Sequence, residues 1–371
     1  MISKKYTLPI YVKASILLIG IYAFISMLYI AQDIIVPLVF SVIISILLNP
    51  LVNFFSRWNV NRILSITITL VLFGIAFLGL MVFLVWQISG FSESWPLFVE
   101  KFSSMIDQTI STFSNYFDID RKYIYDWITK SRKDLIDNNG MLIGQKIFSL
   151  GSSILSLILI PVYIFFILYY KTLLLEFVCR LFADDYQTKV NEIITEIKTV
   201  VQRYLSGLMI QLVIIAILNS VGLLIIGIDY AILLGVLGAL LNLIPYIGGV
   251  VAVALPMMIA FATKTTPWPA VYVLALYAFV QMIDNNYIVP KIVASKVQIN
   301  ALFSIIVVLA GNALWGVSGM FLSIPILAIM KLIFDRIEPL KPWGFLLGDT
   351  MPNMLKLKGI SRKKKAKPPI E

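Results

Sequence analysis

Residues 203–256 read RYLSGLMIQLVIIAILNSVGLLIIGIDYAILLGVLGALLNLIPYIGGVVAVALP. The run is almost wholly apolar, yet its second half holds Asn242, Pro245, Tyr246, Gly248, Gly249 and Pro256. A helix facing lipid does not normally carry two prolines and a Gly-Gly pair. Backbone groups freed by such residues need partners from protein or water, because lipid offers none. The LNLIPYIGG segment is therefore expected to be buried in protein or to line a cavity, at the centre of a membrane transport protein.

Composition agrees. The 371 residues are 60% hydrophobic and 13% charged, against about 25% charged in ordinary globular domains. The net charge of +10 sits largely in short flanks and a tail, as membrane topology requires, so it is not a nucleic-acid signal. One cysteine, Cys179, cannot form an intrachain disulfide, and the chain has no histidine. That removes the common zinc sites, Ser-His-Asp triads and Cys-His dyads. No G-x-x-x-x-G-K-[ST], H-E-x-x-H or G-x-S-x-G occurs, so no ATP-driven machinery, enzymatic activity, metal or cofactor is expected.

Charge-free runs cover 14–32, 34–56, 63–92, 147–170, 204–228, 230–263, 265–283 and 297–330. A spanning helix needs about 20 mostly apolar residues. The fold class is therefore an all-α polytopic integral membrane protein with about eight hydrophobic segments. No A-x-A cleavage pattern closes the first run, which reads as an uncleaved span. Lys4, Lys5 and Lys13 place the N-terminus inside, and Arg57 and Arg62 place the second connection inside as well.

Residues 93–146 form a nearly neutral third connection, expected outside. Phe98, Phe102, Met105, Ile106, Ile110 and Phe113 recur at helical spacing, as do Ile124, Trp127, Ile128, Leu135 and Ile136. Two or more amphipathic helices are expected, on the membrane or packed together. Pro161 is expected to kink the fourth span, with Tyr169, Tyr170 and Lys171 as interfacial anchors. Residues 171–203 follow inside as an amphipathic helix.

Runs 230–263 and 297–330 each hold 34 residues. Straight helices of that length would be about 50 Å long, against a hydrocarbon core of about 30 Å. Both break midway: Asn242, Pro245, Tyr246, Gly248, Gly249 and Pro256 in one, Asn312, Trp315, Gly316, Gly319 and Pro325 in the other. This weak internal repeat suits paired broken helices or re-entrant hairpins. Two hairpins would put Lys264 outside with Lys291 and Lys296 inside; two simple spans would reverse them. The tail has ten bases and four acids from Lys331 to Glu371, and reads as attracted to anionic lipid head groups. Four regions result: 1–92, an N-terminal three-span segment; 93–146, a helical extracytoplasmic loop; 147–335, a transport core; and 336–371, a basic cytoplasmic tail.

Polar residues within membrane runs are expensive and so informative. Gln281, Asp284 and Asn285 are i, i+3 and i+4 neighbours on a helix, with Asn286 and Pro290 following. That face could bind a cation, accept solute hydroxyls or exchange a proton; alternatively Asp284 pairs with Lys291 or caps a half-helix. Asn242 and Asn312 either bind a polar solute or join helices. Arg203 either belongs to the path or anchors the interface, and Gln211 and Asn219 share its face. Gly235 with Gly238, and Gly316 with Gly319, permit close backbone approach. Helix breaks are expected at Pro256, Pro290 and Pro325.

The chain resembles the AI-2E family of membrane transporters, the autoinducer-2 exporter family. The resemblance rests on Arg203 through Gly207, Gly235 through Pro256, Gln281-x-x-Asp284 leading to Val289-Pro290-Lys291-Ile292, and Gly316-x-x-Gly319 through Pro325. It implies a multi-pass protein of a bacterial inner membrane that moves a small polar signalling molecule, with export as the direction, or that exchanges sodium for protons; a homo-oligomer is compatible. A rival from another class is a non-transporting scaffold that docks partners through 93–146 or the tail.

Overall fold

In the computed structural model, residues 9–117, 152–244, 248–264, 266–293 and 299–349 are described. The regular elements among them are helical: α1 (Ile10–Ile30), α2 (Gln32–Arg57), α3 (Arg62–Phe117), α4 (Ser152–Tyr169), α5 (Lys171–Arg180), α6 (Asp184–Ile226), α7 (Ala231–Asn242), α8 (Gly248–Thr263), α9 (Trp268–Ile283), a π-helical segment (Asp284–Val293), α10 (Ala301–Arg336), a 3-10 turn (Glu338–Leu340) and α11 (Lys341–Leu347). Among the described residues, five helices are long and apolar enough to cross a membrane, and α4 with α5, bent by 67°, makes a sixth candidate. Each of the eight charge-free runs contains described helix, as an all-α polytopic membrane protein requires.

Helix α3 alters the picture of the third connection. It continues unbroken from the third span to Phe117, so the first amphipathic stretch of 93–146 is an extension of the span rather than a separate helix. No proline or glycine falls between Leu97 and Phe117 to stop it. The second stretch, from Ile124 to Ile136, and the basic tail from 350 onward lie outside the described residues.

Contacts between helices fix two opposite ends of the bundle. At one end, Arg62 donates to the Leu168 carbonyl at 2.9 Å, and Lys171 donates to Asn49 Oδ1 at 2.9 Å. Arg336 pairs with Glu196 on the same side. At the other end, the Tyr230 hydroxyl donates to the Gly90 carbonyl at 3.0 Å.

Both overlong runs are hairpins. The first descends from the Gly90 end as α7, which ends at Asn242, and returns as α8 from Gly248. Ile259 and Ala260 of α8 share an apolar cluster with Ile228 and Ala231, so the hairpin closes at the end where it began. Glycine permits the turn: a Cβ on Gly248 would lie 1.9 Å from the Leu241 carbonyl oxygen.

The second hairpin lies within α10. Trp315 and Gly316 leave helical geometry, with Gly316 at φ +61° and ψ −142°, a conformation open chiefly to glycine. The Ser323 hydroxyl donates to the Val307 carbonyl at 2.9 Å. In a straight helix those residues would be about 24 Å apart, so the two arms fold back on each other. Gly311 and Gly319 allow backbone contact between the arms. The Asn300 amide donates to the Leu347 carbonyl at 2.8 Å, so this hairpin opens at the Arg336 end. The two hairpins thus enter from opposite ends. Leu243 from the first and Trp315 from the second pack against one cluster built on Ile43, Val201, Leu205 and Leu322.

Two proline expectations need correction. Pro256 lies inside a continuous α8, and Pro325 inside the second arm of α10. Both side chains are buried. Neighbouring helices tolerate and surround the distortion that a proline introduces, and the reversals fall instead where glycine permits a tight turn. Pro290 lies within the π-helical segment.

The tip of the second hairpin is tied by Trp315 Nε1, which donates to the Leu28 carbonyl at 3.1 Å. Trp315→Phe is expected to lower stability by about 1 kcal/mol, the usual net worth of one such bond. Thermal unfolding of the purified protein in one fixed detergent measures it.

Candidate functional site

The chain from 204 to 228 is apolar enough to span, and only Gln211 and Asn219 interrupt it strongly. Their eight-residue spacing keeps them near one stripe of α6. That stripe is buried against the first hairpin and α9: Gln211 is 6% exposed and Asn219 2%. Gly235 makes the contact close, since a Cβ there would fall 2.2 Å from Ser220 Oγ.

The polar centre is Asp284, which is 2% exposed. Gln211 Nε2 donates to both of its carboxyl oxygens, at 2.8 and 2.9 Å. Asn242 Nδ2, from the C-terminal end of α7, donates to Asp284 Oδ2 at 2.9 Å. Three elements therefore meet on one carboxyl: a spanning helix, a hairpin tip and the start of the π-helical segment. Helix α9 changes to π geometry at Asp284. One extra residue per turn rotates the following side chains away from an α-helical register, and such segments recur at functional sites.

Hydrogen bonds to a charged group contribute about 1.5–3 kcal/mol each. They do not neutralise it. Among the described residues, none of the ion pairs involves Asp284. Lys291, a sequence-level candidate for its partner, instead lies over the Tyr287 ring at 4.5 Å from the centroid. A buried carboxyl satisfied only by neutral carboxamides is suited to hold a proton or a cation as its compensating charge.

Further side-chain oxygens lie beside this centre. A Cβ on Gly249 would lie 2.9 Å from Gln281 Oε1 and 3.8 Å from Asn242 Oδ1. Gln281 Nε2 in turn donates to Asn285 Oδ1 at 3.2 Å. Asn242, Gly249, Gln281, Asp284 and Asn285 are thus brought together. Among the described residues, no three His, Cys, Asp or Glu side chains gather as metal ligands.

Other candidates are placed elsewhere. Arg203 is exposed, and so is Asn286, whose side chain donates to the Met282 carbonyl at 2.8 Å. Asn312 is exposed near the second tip, while Gly316 makes the turn and Gly319 contacts Gly311. Gly248 is buried at the first turn; Pro245 and Tyr246 lie outside the described residues. Gln211 is the site residue whose role sequence reasoning left open. A carboxamide in an apolar span was its signal, and its pairing with Asp284, 73 positions away, needed the fold.

Comparison with known proteins bears on this geometry. A family model described as AI-2E family transporter matches residues 16–338. The chain is 24% identical over 328 residues to the AI-2 transport protein TqsA of Escherichia coli (strain K12), covering 86% of this chain and 90% of that protein. It is 25% identical over 339 residues to YhhT of the same organism, whose name assigns it to transport only provisionally, covering 91% and 92%. YueF of Bacillus subtilis (strain 168), named with the same reserve, is 22% identical over 316 residues, covering 81% and 83%.

Proposed function

We propose, from the premise that the chain belongs to the AI-2E family of transporters, that it is a secondary transporter whose coupling group is the Asp284 carboxyl. One observation carries this reading: a buried carboxyl at the meeting of a hairpin tip with two helices, held by Gln211 and Asn242 and in no ion pair among the described residues. The family supports transport rather than enzymatic chemistry.

The cargo in this reading is a small polar solute, with the AI-2 of TqsA's name as the first candidate and export as the direction. Energy comes from an ion gradient or from the solute's own gradient. In the closed arrangement Asn242 completes the shell around Asp284. Movement of the first hairpin's tip removes that one donor, opens a carboxyl oxygen and admits the coupling proton or cation. The second hairpin, entering from the opposite end, is the counterpart that closes the other approach. Sodium/proton antiport would use the same carboxyl without an organic solute. Reconstitution tests these readings together: radiolabelled AI-2 and sodium fluxes in proteoliposomes, compared with the Asp284→Asn protein.

The membrane is the bacterial inner membrane in this account, with both termini cytoplasmic and the Gly90 end outside. Anionic lipid head groups are the partners of the basic tail. In a Cys179→Ser background, Lys264→Cys is expected to react with an impermeant maleimide added outside, and Lys291→Cys only after permeabilisation. The reverse pattern contradicts the orientation. The scaffold reading expects loss of partner recovery, with flux absent throughout, when residues 352–371 are deleted. The transporter reading expects flux to persist.

A further inference from the structure

We infer that Arg62, Lys171 and Lys198 form a binding site for the phosphate of an anionic phospholipid, in the leaflet at the Arg336 end of the bundle. The inference rests on the membrane fold alone and holds for any cargo.

The fold brings these three cations together from separate parts of the chain. Ile197 and Val201 of α6 pack in one cluster with Ile43 and Leu47 of α2. Leu48 and Val52 of α2 pack in another with Ile66 of α3 and Leu168 of α4. Arg62 donates to the Leu168 carbonyl at 2.9 Å and to Thr172 Oγ1 at 3.5 Å. Lys171 donates to Oδ1 of the buried Asn49 at 2.9 Å. Lys198 and Arg62 are the charged groups that act on the Lys171 ammonium, and both repel it.

These bonds all end on neutral oxygens. A neutral oxygen positions a cation without cancelling its charge. Among the described residues, no ion pair involves any of the three cations. The acids nearest to them in sequence on α5 and α6 are already taken: Glu176 pairs with Arg180, and Glu196 with Arg336. Lys198 has neither a hydrogen bond nor an ion pair among the described residues. Three like charges held together call for an anion. Lys171 and Arg62 keep further N–H donors free, and ammonium and guanidinium groups hold phosphate oxygens by short, charge-assisted bonds. The cluster opens at the surface: Arg62 and Thr172 are exposed, and Lys171 and Lys198 are only partly buried. A head group therefore reaches it without needing a cavity.

Two features favour a lipid over a soluble anion. Helix α5, which begins at Lys171, leaves the axis of α4 by 67°. Leu173 and Phe177, four residues apart on one stripe of α5, are both exposed. Beside a head-group site, such side chains meet acyl chains. Tyr169 and Tyr170 are exposed at the same bend, and tyrosine is enriched at head-group depth.

The experiment uses the full-length Cys179→Ser protein with Leu173→Cys labelled by bimane, a fluorophore that brominated lipids quench on contact. It is reconstituted in phosphatidylcholine liposomes that hold a small share of brominated phosphatidylglycerol or, for comparison, the same share of brominated phosphatidylcholine. Phosphatidylglycerol is expected to quench more. Lys198→Gln is expected to weaken its apparent affinity about fivefold, the worth of one base near an anionic surface, and Lys171→Gln likewise. Lys198 has no partner to lose, so Lys198→Gln is expected to melt no lower than the parent protein in detergent. Lys13→Gln removes an exposed base outside the cluster and is expected to change nothing. The basic tail is common to every variant and cancels from the comparison. Phe177→Cys carries the label if Leu173→Cys does not reconstitute. Equal quenching by the two lipids, or an excess that neither Lys198→Gln nor Lys171→Gln reduces, overturns the site. An excess that inorganic phosphate abolishes assigns the cluster to a soluble anion and overturns the lipid.

Discussion

Asp284→Asn is expected to abolish gradient-driven transport and to leave a folded protein. The substitution keeps the size of the side chain but removes its charge, so neither a proton nor a cation can be exchanged there. It also sets an amide NH2 against donors that formerly had oxygens to meet. Gln211 Nε2 bonds both carboxyl oxygens and Asn242 Nδ2 bonds Oδ2, so at least one donor is left facing a donor. That mismatch costs about 1–3 kcal/mol, less than the roughly 5–15 kcal/mol that separates typical folded and unfolded states. Losing a charged group's interaction of about 3 kcal/mol corresponds to a fall of about a hundredfold in flux at limiting solute. Proteoliposome flux and thermal unfolding, measured on the same preparation, separate the two effects. A variant that transports at the wild-type rate rejects the carboxyl as the coupling group.

Gly248→Val is expected to have the largest effect on the fold. Even the first carbon of a side chain would meet the Leu241 carbonyl oxygen at 1.9 Å, its carbon at 2.5 Å and Asn242 Cα at 2.8 Å. These are backbone atoms, which cannot swing aside. The turn between α7 and α8 must open, and Asn242 must leave Asp284. A loss of about 4 kcal/mol or more is expected, in the range of severe backbone and overpacking substitutions. Gly74→Ala is the control, because a Cβ there has no neighbour within 4 Å. It should be neutral or slightly stabilising in its helix, by up to about 1 kcal/mol. Equal melting temperatures for the two variants would show that the first hairpin does not turn as described.

The spans were legible because charge is excluded from lipid, and eight charge-free runs sufficed to place them. Length also marked 230–263 and 297–330 as too long for straight spans. Charge could not decide between spans and hairpins, since reversing the intervening segment only exchanges Lys264 with Lys291 and Lys296. The bond from Ser323 to Val307 decides it for the second run. Asp284 stood out as an acid among apolar residues, and its proximity to Gln281 and Asn285 followed from spacing. Its donors did not, because Gln211 and Asn242 reach it from other helices. Asn312 shows the limit of reading by order of residue types. It precedes a break as Asn242 does, but its position around the helix axis leaves it exposed. Proline misled for a related reason: the rule that it ends helices weakens where other helices pack around it, as at Pro256 and Pro325.

The most direct test of the account is flux in proteoliposomes under imposed gradients. AI-2 and other small polar solutes are compared with a sodium gradient, a proton gradient and neither, for the wild-type protein and for Asp284→Asn. The account predicts that one gradient accelerates wild-type flux of a solute above that of protein-free liposomes, and that Asp284→Asn removes the acceleration. Equal acceleration in both proteins, or no protein-dependent flux under any gradient, would contradict it.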